Sequence, residues 1–183
     1  MGPLSRNRKR LHRGRLILVT GGASSGKSAT ALDLAGKGTR RAFVATSQPL
    51  DDEMTERIQR HRSSRGVGWH TEEVPVDLVG WFQKNGQSYR TIVLDCLTLW
   101  LSNLQDRGVP DTQVPKHVST MLQAIRTVSA RVVVVTNELG LGLVPLDAAA
   151  RRFRDVAGQV NQQFAAEADE VYLVLSGLAV RLK

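Results

Sequence analysis

The residues of this 183-residue chain that are best suited to chemistry lie near its start, in GGASSGKS at residues 21–28. The three glycines lack a Cβ and permit backbone conformations in which successive N–H groups point at phosphate oxygens. Lys27 has the reach to contact β and γ phosphates, and the Ser28 hydroxyl can ligate Mg²⁺ at the start of a helix whose dipole favours anions. The spacing GxxxxGKS therefore predicts a P-loop that binds a nucleoside triphosphate.

The sequence on either side of this loop has the expected form. LILVT at 16–20 predicts a buried strand that ends where the glycines begin, and KSATALDLA at 27–35 predicts a helix that begins directly after them. Strand, glycine loop and helix form the context in which such a loop works. The alternative is a Gly/Ser turn that matches by chance, and the agreement of motif and context argues against it.

A carboxylate that could complete a magnesium site follows another apolar run. TIVLD at 91–95 ends in Asp95, which is the form of a Walker B strand whose acid helps to hold Mg²⁺. The predicted magnesium ligands are therefore Ser28 and Asp95. In the alternative interpretation Asp95 caps the helix that follows, and one position could serve both roles.

Short β-branched runs alternate with helical stretches along the chain. Runs that are apolar throughout predict strands covered on both faces, and with helices between them they indicate a mainly parallel sheet in a three-layer α/β fold. AVRLK at 179–183 alternates and follows Ser176 and Gly177, so it predicts an antiparallel hairpin strand at the sheet edge. The other predicted strands are 16–20, 42–46, 91–95, 131–136 and 170–176, with Glu73 in a further strand.

The segments that follow these strands are the candidates for ligand binding, because ligands of parallel α/β sheets bind at the carboxyl ends of the strands. TSQPLDDEM, DCLTLW and TNELGLGLVP follow three of the strands. Each contains polar or glycine residues that a plain connection would not need. These segments are therefore expected to surround the nucleotide.

A histidine lies in DDEMTERIQRHRSSR at 51–65, a segment that predicts a helix. His61 falls on the apolar stripe of that helix with Met54 and Ile58, at spacings of four and three. A histidine in such a stripe is commonly a core residue with a satisfied hydrogen bond. Here arginines flank it, and their charge favours the neutral imidazole and gathers phosphate, as a ring nitrogen that attacks phosphorus requires. The alternative for these arginines is a solvated helix face.

The distribution of charge limits the partners of the protein. The formal net charge is +8, but six Arg and Lys residues and no acid lie within residues 1–15, and without these six the net charge falls to +2. That balance argues against a nucleic-acid partner for the rest of the chain. We predict a basic, disordered tail at 1–15 and a single catalytic domain at 16–183. The tail is either a solvated extension or an electrostatic contact for polyanions.

The compartment is predicted from what the sequence lacks. After the basic start the apolar stretch is only LILV, which is too short for export, and no run approaches the roughly 18 apolar residues that span a bilayer. The single cysteine, Cys96, excludes an internal disulfide and fits a reducing compartment. We therefore expect a cytoplasmic protein without a membrane span.

The histidine segment and three other blocks resemble one enzyme family. RIQRHRSSRGVGWHTEE at 57–73 resembles the RIxxHxxxRxxxWxTxE signature of the bifunctional adenosylcobinamide kinase and adenosylcobinamide-phosphate guanylyltransferase family. Residues 45–54, 136–145 and 153–177 match further blocks, so that the resemblance spans 16–183. It implies a RecA-like P-loop NTPase domain, with a mainly parallel sheet flanked by helices and an antiparallel C-terminal edge hairpin.

The resemblance also implies two reactions in the assembly of the cobalamin nucleotide loop. The family phosphorylates the aminopropanol hydroxyl of adenosylcobinamide from ATP or GTP, and then transfers GMP from GTP to that phosphate with release of pyrophosphate. The transfer is described for the family as passing through a guanylylated histidine, and the matching residue is His61. Mg²⁺, a corrinoid substrate and a homo-oligomer are implied as well.

Carried over residue by residue, the resemblance places nucleotide contacts in the P-loop, at the ends of strands and in the four residues that follow His61. These contacts are Gly21, Gly22, Ala23, Ser24, Ser25, Gly26, Lys27, Ser28, Ala45, Thr46, Ser47, Arg62, Ser63, Ser64, Arg65, Glu73 and Asp95. Glu73 has no independent support from its residue type and could equally face solvent. The remaining histidines match no motif and are predicted to be surface residues; they are His12, His70 and His117.

Two other functions fit parts of the sequence. A simpler P-loop kinase, with His61 structural, would transfer a γ-phosphoryl group without a covalent intermediate. A RecA-like, nucleic-acid-dependent ATPase would use the basic tail as its polyanion contact, and the nearly balanced charge outside the tail argues against it.

QDRGVPDTQVPKH at 105–117 predicts a loop that either shapes the corrinoid site or simply connects helices. Ser24 stands where many family members have Arg.

Overall fold

Seven strands in the described residues form one sheet. A computed structural model describes residues 14–48, Glu56 and residues 67–183. The strands are β1 Leu16–Gly21, β2 Arg41–Ala45, β3 Trp69–Glu73, β4 Thr91–Asp95, β5 Arg131–Val135, β6 Glu170–Leu175 and β7 Leu178–Arg181. Their spatial order is β3-β2-β4-β5-β1-β6-β7, and all neighbours are parallel except β6 and β7. The predicted α/β architecture, with its antiparallel C-terminal hairpin, is confirmed.

The last strand begins earlier than predicted because of the turn before it. Ser176 and Gly177 have φ of +51° and +82°, the left-handed pair that closes a two-residue hairpin. Leu175 therefore pairs directly with Leu178, and β7 covers Leu178–Arg181 instead of 179–183.

Five α-helices lie in the described residues: α1 Lys27–Ala35, α2 Leu78–Asn85, α3 Leu97–Asp106, α4 Val114–Thr127 and α5 Ala148–Glu167. The helix predicted at 27–35 is confirmed. The loop predicted at 105–117 is wrong at both ends, because α3 reaches Asp106 and α4 begins at Val114. Pro115 does not prevent this start, since the first turn of a helix has no use for the missing N–H. None of the described helices is long and apolar enough to cross a membrane.

The core is divided by the sheet into two layers. Alternate residues of β5 belong to different apolar clusters, with Val133 and Val135 in one and Val132 and Val134 in the other. The first cluster includes Ala31 and Ala35 of α1, and the second includes residues of α2, α3, α4 and α5. We call these two sides of the sheet the α1 face and the α5 face. Both faces of the central strands are thus covered, as their continuous apolar sequence predicts.

A buried carboxylate at the amino end of β6 is held by surrounding donors. Glu170 is 5% exposed and contacts Arg15 Nε at 2.6 Å, the Tyr172 hydroxyl at 2.8 Å and Arg181 at 3.6 Å. The hydrogen bond to Glu170 raises the pKa of Tyr172 above its ordinary value of 10.0. Arg15, the last residue of the predicted tail, is thereby attached to the sheet.

Candidate nucleotide-binding site

Two glycines shape the P-loop against the hairpin formed by β6 and β7. A Cβ at Gly21 would lie 2.3 Å from the Val174 carbonyl oxygen. Gly26 has a φ of +99°, and a Cβ there would lie 3.2 Å from Gly177 Cα. The Gly177 N–H also donates to the Ser25 carbonyl at 2.8 Å. The C-terminal hairpin therefore supports the loop from behind.

Two other residues of the loop differ from expectation. Gly22 has no positive φ, and a Cβ there would meet open space, so the prediction that the loop needs the missing Cβ of all three glycines is wrong at Gly22. Ser24 instead adopts the left-handed conformation, with a φ of +54°. Ser25 Oγ is shielded from solvent and has no hydrogen-bond partner among the residues that the structure describes. A phosphate bound in the loop would supply that hydroxyl with an acceptor.

The start of α1 meets the end of β4. Lys27 is buried, and its Nζ donates to the Gly22 carbonyl oxygen. Ser28 Oγ donates to Asp95 Oδ2 at 2.7 Å. The alternative in which Asp95 caps α3 is wrong, because Cys96 occupies the N-cap position of this helix.

The oxygens of Ser28 and Asp95 form a pair that suits Mg²⁺. This ion usually takes one or two protein ligands and completes its octahedron with phosphate oxygens and water. Within the described ranges no group of three or more His, Cys, Asp or Glu side chains could hold a metal. The pair therefore fits a magnesium ion that is bound together with nucleotide phosphates.

Three predicted site residues lie in one row across the sheet. Ala45 pairs with Glu73 on one side and with Asp95 on the other. Ala45 belongs to the cluster on the α1 face. Because paired residues of parallel strands present their side chains to the same face, Glu73 and Asp95 also belong to that face. Glu73 therefore lies on the P-loop side of the sheet, two strands away from Asp95.

Thr46 connects the end of β2 to neighbouring elements. Its N–H donates to the Asp95 carbonyl at 3.0 Å, and its hydroxyl donates to the Cys96 carbonyl at 2.7 Å. Its own carbonyl accepts from Asn103 Nδ2 of α3 at 2.8 Å, and Asn103 Oδ1 accepts from Gln48 Nε2 at 2.9 Å. Because its polar atoms are bonded within the protein, the side chain of Thr46 holds the strand ends together.

Cys96 lies beside the site without the properties of a nucleophile. Its side chain is 6% exposed, and burial, reinforced by the negative charge of Asp95, raises the pKa of the thiol to about 12. A thiol with that pKa stays protonated at neutral pH, whereas the nucleophilic form is the thiolate.

The segment TNE at 136–138 extends β5 between the P-loop and Asp95. β5 pairs with β1 on one side and with β4 on the other. The pairing with β1 continues past the end of β5. The N–H of Thr136 donates to the Val19 carbonyl, and the N–H of Glu138 donates to the Gly21 carbonyl, both at 2.9 Å. The segment therefore reaches the edge of the sheet at which the P-loop begins.

Side chains of this segment alternate between the two faces. Thr136 Oγ1 donates to Asn161 Oδ1 of α5 at 2.7 Å and so lies on the α5 face. Asn137 is next and belongs to the α1 face, as Asp95 does. The Asn137 N–H donates to Thr98 Oγ1 at 2.9 Å, and its carbonyl accepts from Asn161 Nδ2 at 3.0 Å. Its backbone is thus fixed, while its carboxamide has no hydrogen bond to any other described residue.

Comparison with known proteins identifies the family. A family model described as cobinamide kinase / cobinamide phosphate guanyltransferase matches residues 17–182. The chain belongs to this family. The predicted family is confirmed, and the two enzymatic activities predicted for the chain are the two that the family description gives.

Relatives of this cobinamide kinase and guanyltransferase family are similar over nearly their full length. The bifunctional adenosylcobalamin biosynthesis protein CobU of Salmonella typhimurium is 41% identical over 180 residues, which covers 92% of this chain and 99% of that protein. The protein of the same name from Escherichia coli is 40% identical with the same coverage. CobP of Pseudomonas aeruginosa is 37% identical over 167 residues, with coverage of 91% and 96%.

A solved structure supports the RecA-like P-loop NTPase fold predicted for this family member. The RadB recombinase superposes with a TM-score of 0.52 over 88% of this chain and 74% of its own. Its sequence is 15% identical, so the similarity concerns the fold alone.

Sequence reasoning and structure select partly different residues in this family member. The structure brings the P-loop, Asp95, Ala45 and Glu73 to one edge and face of the sheet. His61, Arg62, Ser63, Ser64 and Arg65 lie outside the described residues, as does the rest of the predicted helix 51–65 except Glu56. Asn137 was missed, although its segment follows a strand, because choosing it requires the position at which β5 ends.

The described histidines match the surface prediction to different degrees. The side chain of His70 is 61% exposed and stacks on Tyr89 with ring centroids 5.8 Å apart. His117 lies in the first turns of α4 and is half-buried. His70 is therefore a suitable control for substitutions of His61.

Proposed function

We propose that this enzyme phosphorylates adenosylcobinamide with ATP or GTP and then transfers GMP from GTP to the product, giving adenosylcobinamide-GDP and pyrophosphate. The observation that carries the proposal is the contact of 2.7 Å between Ser28 Oγ and Asp95 Oδ2 beside the buried Lys27. It joins two separately predicted phosphate and magnesium motifs at the carboxyl edge of the sheet, where ligands of such sheets bind.

In the kinase reaction the P-loop would position the triphosphate. Its N–H groups and Lys27 would bind the β and γ phosphates, while Ser28 and Asp95 would hold Mg²⁺. When bound, that ion offsets negative charge on the phosphates. The oxygen of the acceptor hydroxyl would form a bond to the γ phosphorus as the bond from that phosphorus to the bridging oxygen breaks. The nucleoside diphosphate would leave, and the hydroxyl proton would pass to solvent.

Asn137 is a proposed contact of the γ phosphate. It lies between the P-loop and Asp95, on the same face of the sheet, with a rigidly held backbone and a carboxamide that no described residue binds. An N–H donor held in this way stabilises charge without reorganising as the reaction proceeds. Nδ2 of Asn137 would therefore donate to a γ-phosphate oxygen.

In the transfer reaction neutral His61 is the proposed nucleophile. A ring nitrogen would form a bond to the α phosphorus of GTP as the bond to the bridging oxygen breaks, and pyrophosphate would leave. A phosphate oxygen of the acceptor would then attack the same phosphorus and release the histidine. Arg57, Arg62 and Arg65 would stabilise the equatorial oxygens through charge-assisted hydrogen bonds. Further proposed nucleotide contacts are Ala45, Thr46, Ser47, Ser63, Ser64 and Glu73.

The covalent step can be tested by intact-protein mass spectrometry after mixing with GTP and Mg²⁺. Alkaline, denaturing conditions preserve a phosphoramidate. We expect a mass increase of one GMP group in the wild type and in His70→Ala, the control that removes an exposed histidine, and no increase in His61→Ala. Because the assay needs no corrinoid, it isolates the first half of the transfer.

Two results would contradict the mechanism. An adduct that persists in His61→Ala would place the nucleophile elsewhere. The absence of an adduct in all three proteins, with GTP binding confirmed by calorimetry, would favour a P-loop kinase without a guanylylated intermediate.

We also propose that the enzyme is a cytoplasmic homo-oligomer whose partners are its nucleotide and corrinoid substrates and not nucleic acid. Apolar side chains that are highly exposed support a subunit contact, since monomers rarely expose large apolar patches. They include Leu141, Leu143 and Leu146 before α5 and Leu178 in β7, which are 73%, 97%, 99% and 73% exposed. Sedimentation equilibrium would measure the subunit number directly.

A further inference from the structure

An open cavity of about 590 Å³ lies on the α5 face, behind the P-loop. Its walls are one side of α5 and the neighbouring parts of β1 and β6. The volume is within the usual range of small-molecule sites. No role has so far been assigned to it, because the nucleotide residues described above belong to the opposite face of the sheet.

The cavity adjoins the P-loop through two of its lining residues. Thr20 directly precedes Gly21, and the N–H of Glu138 donates to the Gly21 carbonyl at 2.9 Å. Asn137, next to Glu138, belongs to the nucleotide face. The segment 136–138 therefore separates two sites that share one edge of the sheet, and a ligand in the cavity would lie next to the phosphates across that edge.

The charges that line the cavity do not suit a phosphate. Arg154 is the one cation among the lining residues, and Asp155 Oδ1 lies 3.8 Å from its Nε. Glu138 adds a second carboxylate, which accepts the Gly140 N–H at 2.9 Å. A site with more carboxylates than cations repels anions, so the occupant is expected to be neutral or positively charged.

Two lining groups are available for hydrogen bonds to a neutral ligand. The carboxamides of Gln159 and Gln162, both exposed, have no bonded partner in the part of the chain that the structure describes. Leu18 and Val171 add an apolar floor. Paired donors and acceptors above an apolar floor suit a hydrocarbon ring that carries carboxamide and hydroxyl groups.

We propose that this cavity binds the phosphoryl acceptor, receiving one edge of the corrin ring with its neutral carboxamides. This inference rests on the proposed function, because the acceptor it names is the corrinoid of the kinase reaction. Binding here would bring the aminopropanol arm past Glu138 towards the γ phosphate, so that nucleotide and acceptor approach the reaction from opposite faces of the sheet.

Gly158 makes the proposal testable without damage to the core. It lies within α5 and lines the cavity, and a Cβ placed there meets no heavy atom within 4 Å. Gly158→Leu therefore adds a side chain to the cavity from a position where a Cβ meets no clash, and it removes a glycine, which is unfavourable within helices. Ala166→Leu is the matched control, because Ala166 is exposed on the same helix and does not line the cavity.

The experiment compares the full-length wild type with both leucine variants. Calorimetry would measure the affinities for GTP and for adenosylcobinamide, and a steady-state kinase assay would give the KM for adenosylcobinamide. We expect Gly158→Leu to raise the Kd and KM for adenosylcobinamide by at least about tenfold and to leave the GTP affinity within about twofold. Ala166→Leu should change none of these values. Gln159→Leu, at an exposed position, should also weaken adenosylcobinamide binding.

The outcomes separate this inference from the proposed function. If the wild type neither binds nor phosphorylates adenosylcobinamide, both fail. If the wild type does so and Gly158→Leu binds adenosylcobinamide equally well, only the acceptor site is wrong. A change of subunit number in Gly158→Leu, measured by sedimentation equilibrium and absent from Ala166→Leu, would identify the cavity as a subunit contact and also overturn the inference.

Discussion

Two carboxylates at opposite ends of the sheet have contrasting partners. Glu170, at the amino end of β6, is surrounded by two arginines and a tyrosine hydroxyl. Asp95, at the carboxyl end of β4, is bonded instead to the neutral hydroxyl of Ser28. The protein balances the charge of Glu170 itself, whereas no salt bridge within the described ranges balances Asp95, whose charge the proposed Mg²⁺ would offset. We therefore expect Glu170 to contribute mainly to stability and Asp95 mainly to function.

The sharpest test of this contrast is the same carboxylate-to-amide change at both ends, and Asp95→Asn should have the largest effect. Ser28 keeps an oxygen acceptor, but the negative ligand for Mg²⁺ is lost. We expect the kinase rate to fall about 100-fold, an effect of the size seen when one preorganised electrostatic group is removed. The free energy of unfolding, from urea titration, should fall by less than about 0.5 kcal/mol.

A matching rise in the Mg²⁺ concentration needed for half-maximal activity should accompany this loss. A kinase rate that stays within about threefold of the wild type would break the comparison, because Asp95 would then not be a magnesium ligand.

Asn137→Ala should have an intermediate effect, confined to the terminal phosphate. Losing one hydrogen bond to the γ phosphate should weaken the binding of a non-hydrolysable triphosphate analogue about tenfold, or about 1.4 kcal/mol, and leave the diphosphate unaffected. Calorimetry with both nucleotides gives this ratio directly. Equal weakening of both would show that the substitution distorts the P-loop and that Asn137 does not contact the γ phosphate. Asn137→Ser, with a shorter side chain, serves as a second variant.

Glu170→Gln should have the smallest effect, and on stability instead of activity. It leaves two arginines without their buried carboxylate, which we expect to cost about 1 kcal/mol of unfolding free energy in urea titration. The kinase rate should stay within about twofold of the wild type. A large fall in the kinase rate with an unchanged free energy of unfolding would contradict this prediction, because Glu170 would then act in function and not in stability.

The same variant has a spectroscopic signature. Because the hydrogen bond to Glu170 is the main cause of the raised pKa of Tyr172, Glu170→Gln should lower that pKa towards 10.0. The chain has two tyrosines, and the pKa of Tyr89, raised by burial and then by Glu72, should not change. Ultraviolet titration of the tyrosinate would therefore show one of two transitions move to lower pH.

An element of this fold could be predicted from the sequence where the residues that determine it are adjacent in the chain. The strand, loop and helix around Lys27 were predictable because the apolar run, the glycines and the helix formers are adjacent in sequence. The start of α4 was not, since Pro115 and its polar neighbours resemble a loop until their place in a first helical turn is known. The start of β7 was misplaced by one residue because Ser176, not a glycine, takes the first left-handed position of the turn.

The site shows the same division. Ser28 and Asp95 each belong to a local motif, so their roles could be proposed separately, but their contact depends on the order of the strands. Selecting Asn137 required both the order of the strands and the face of the sheet to which its side chain belongs. Glu73 had no local signal at all, and its position beside Ala45 becomes visible only in the register of β2 and β3.

The support of the P-loop by the β6–β7 hairpin has a consequence for the newly made protein. The loop is encoded in residues 21–28, but Val174 and Gly177, which lie against it, come much later in the chain. A nascent chain on the ribosome therefore has the loop sequence long before it has the loop shape. We expect the loop to take its shape only when the hairpin has emerged from the exit tunnel.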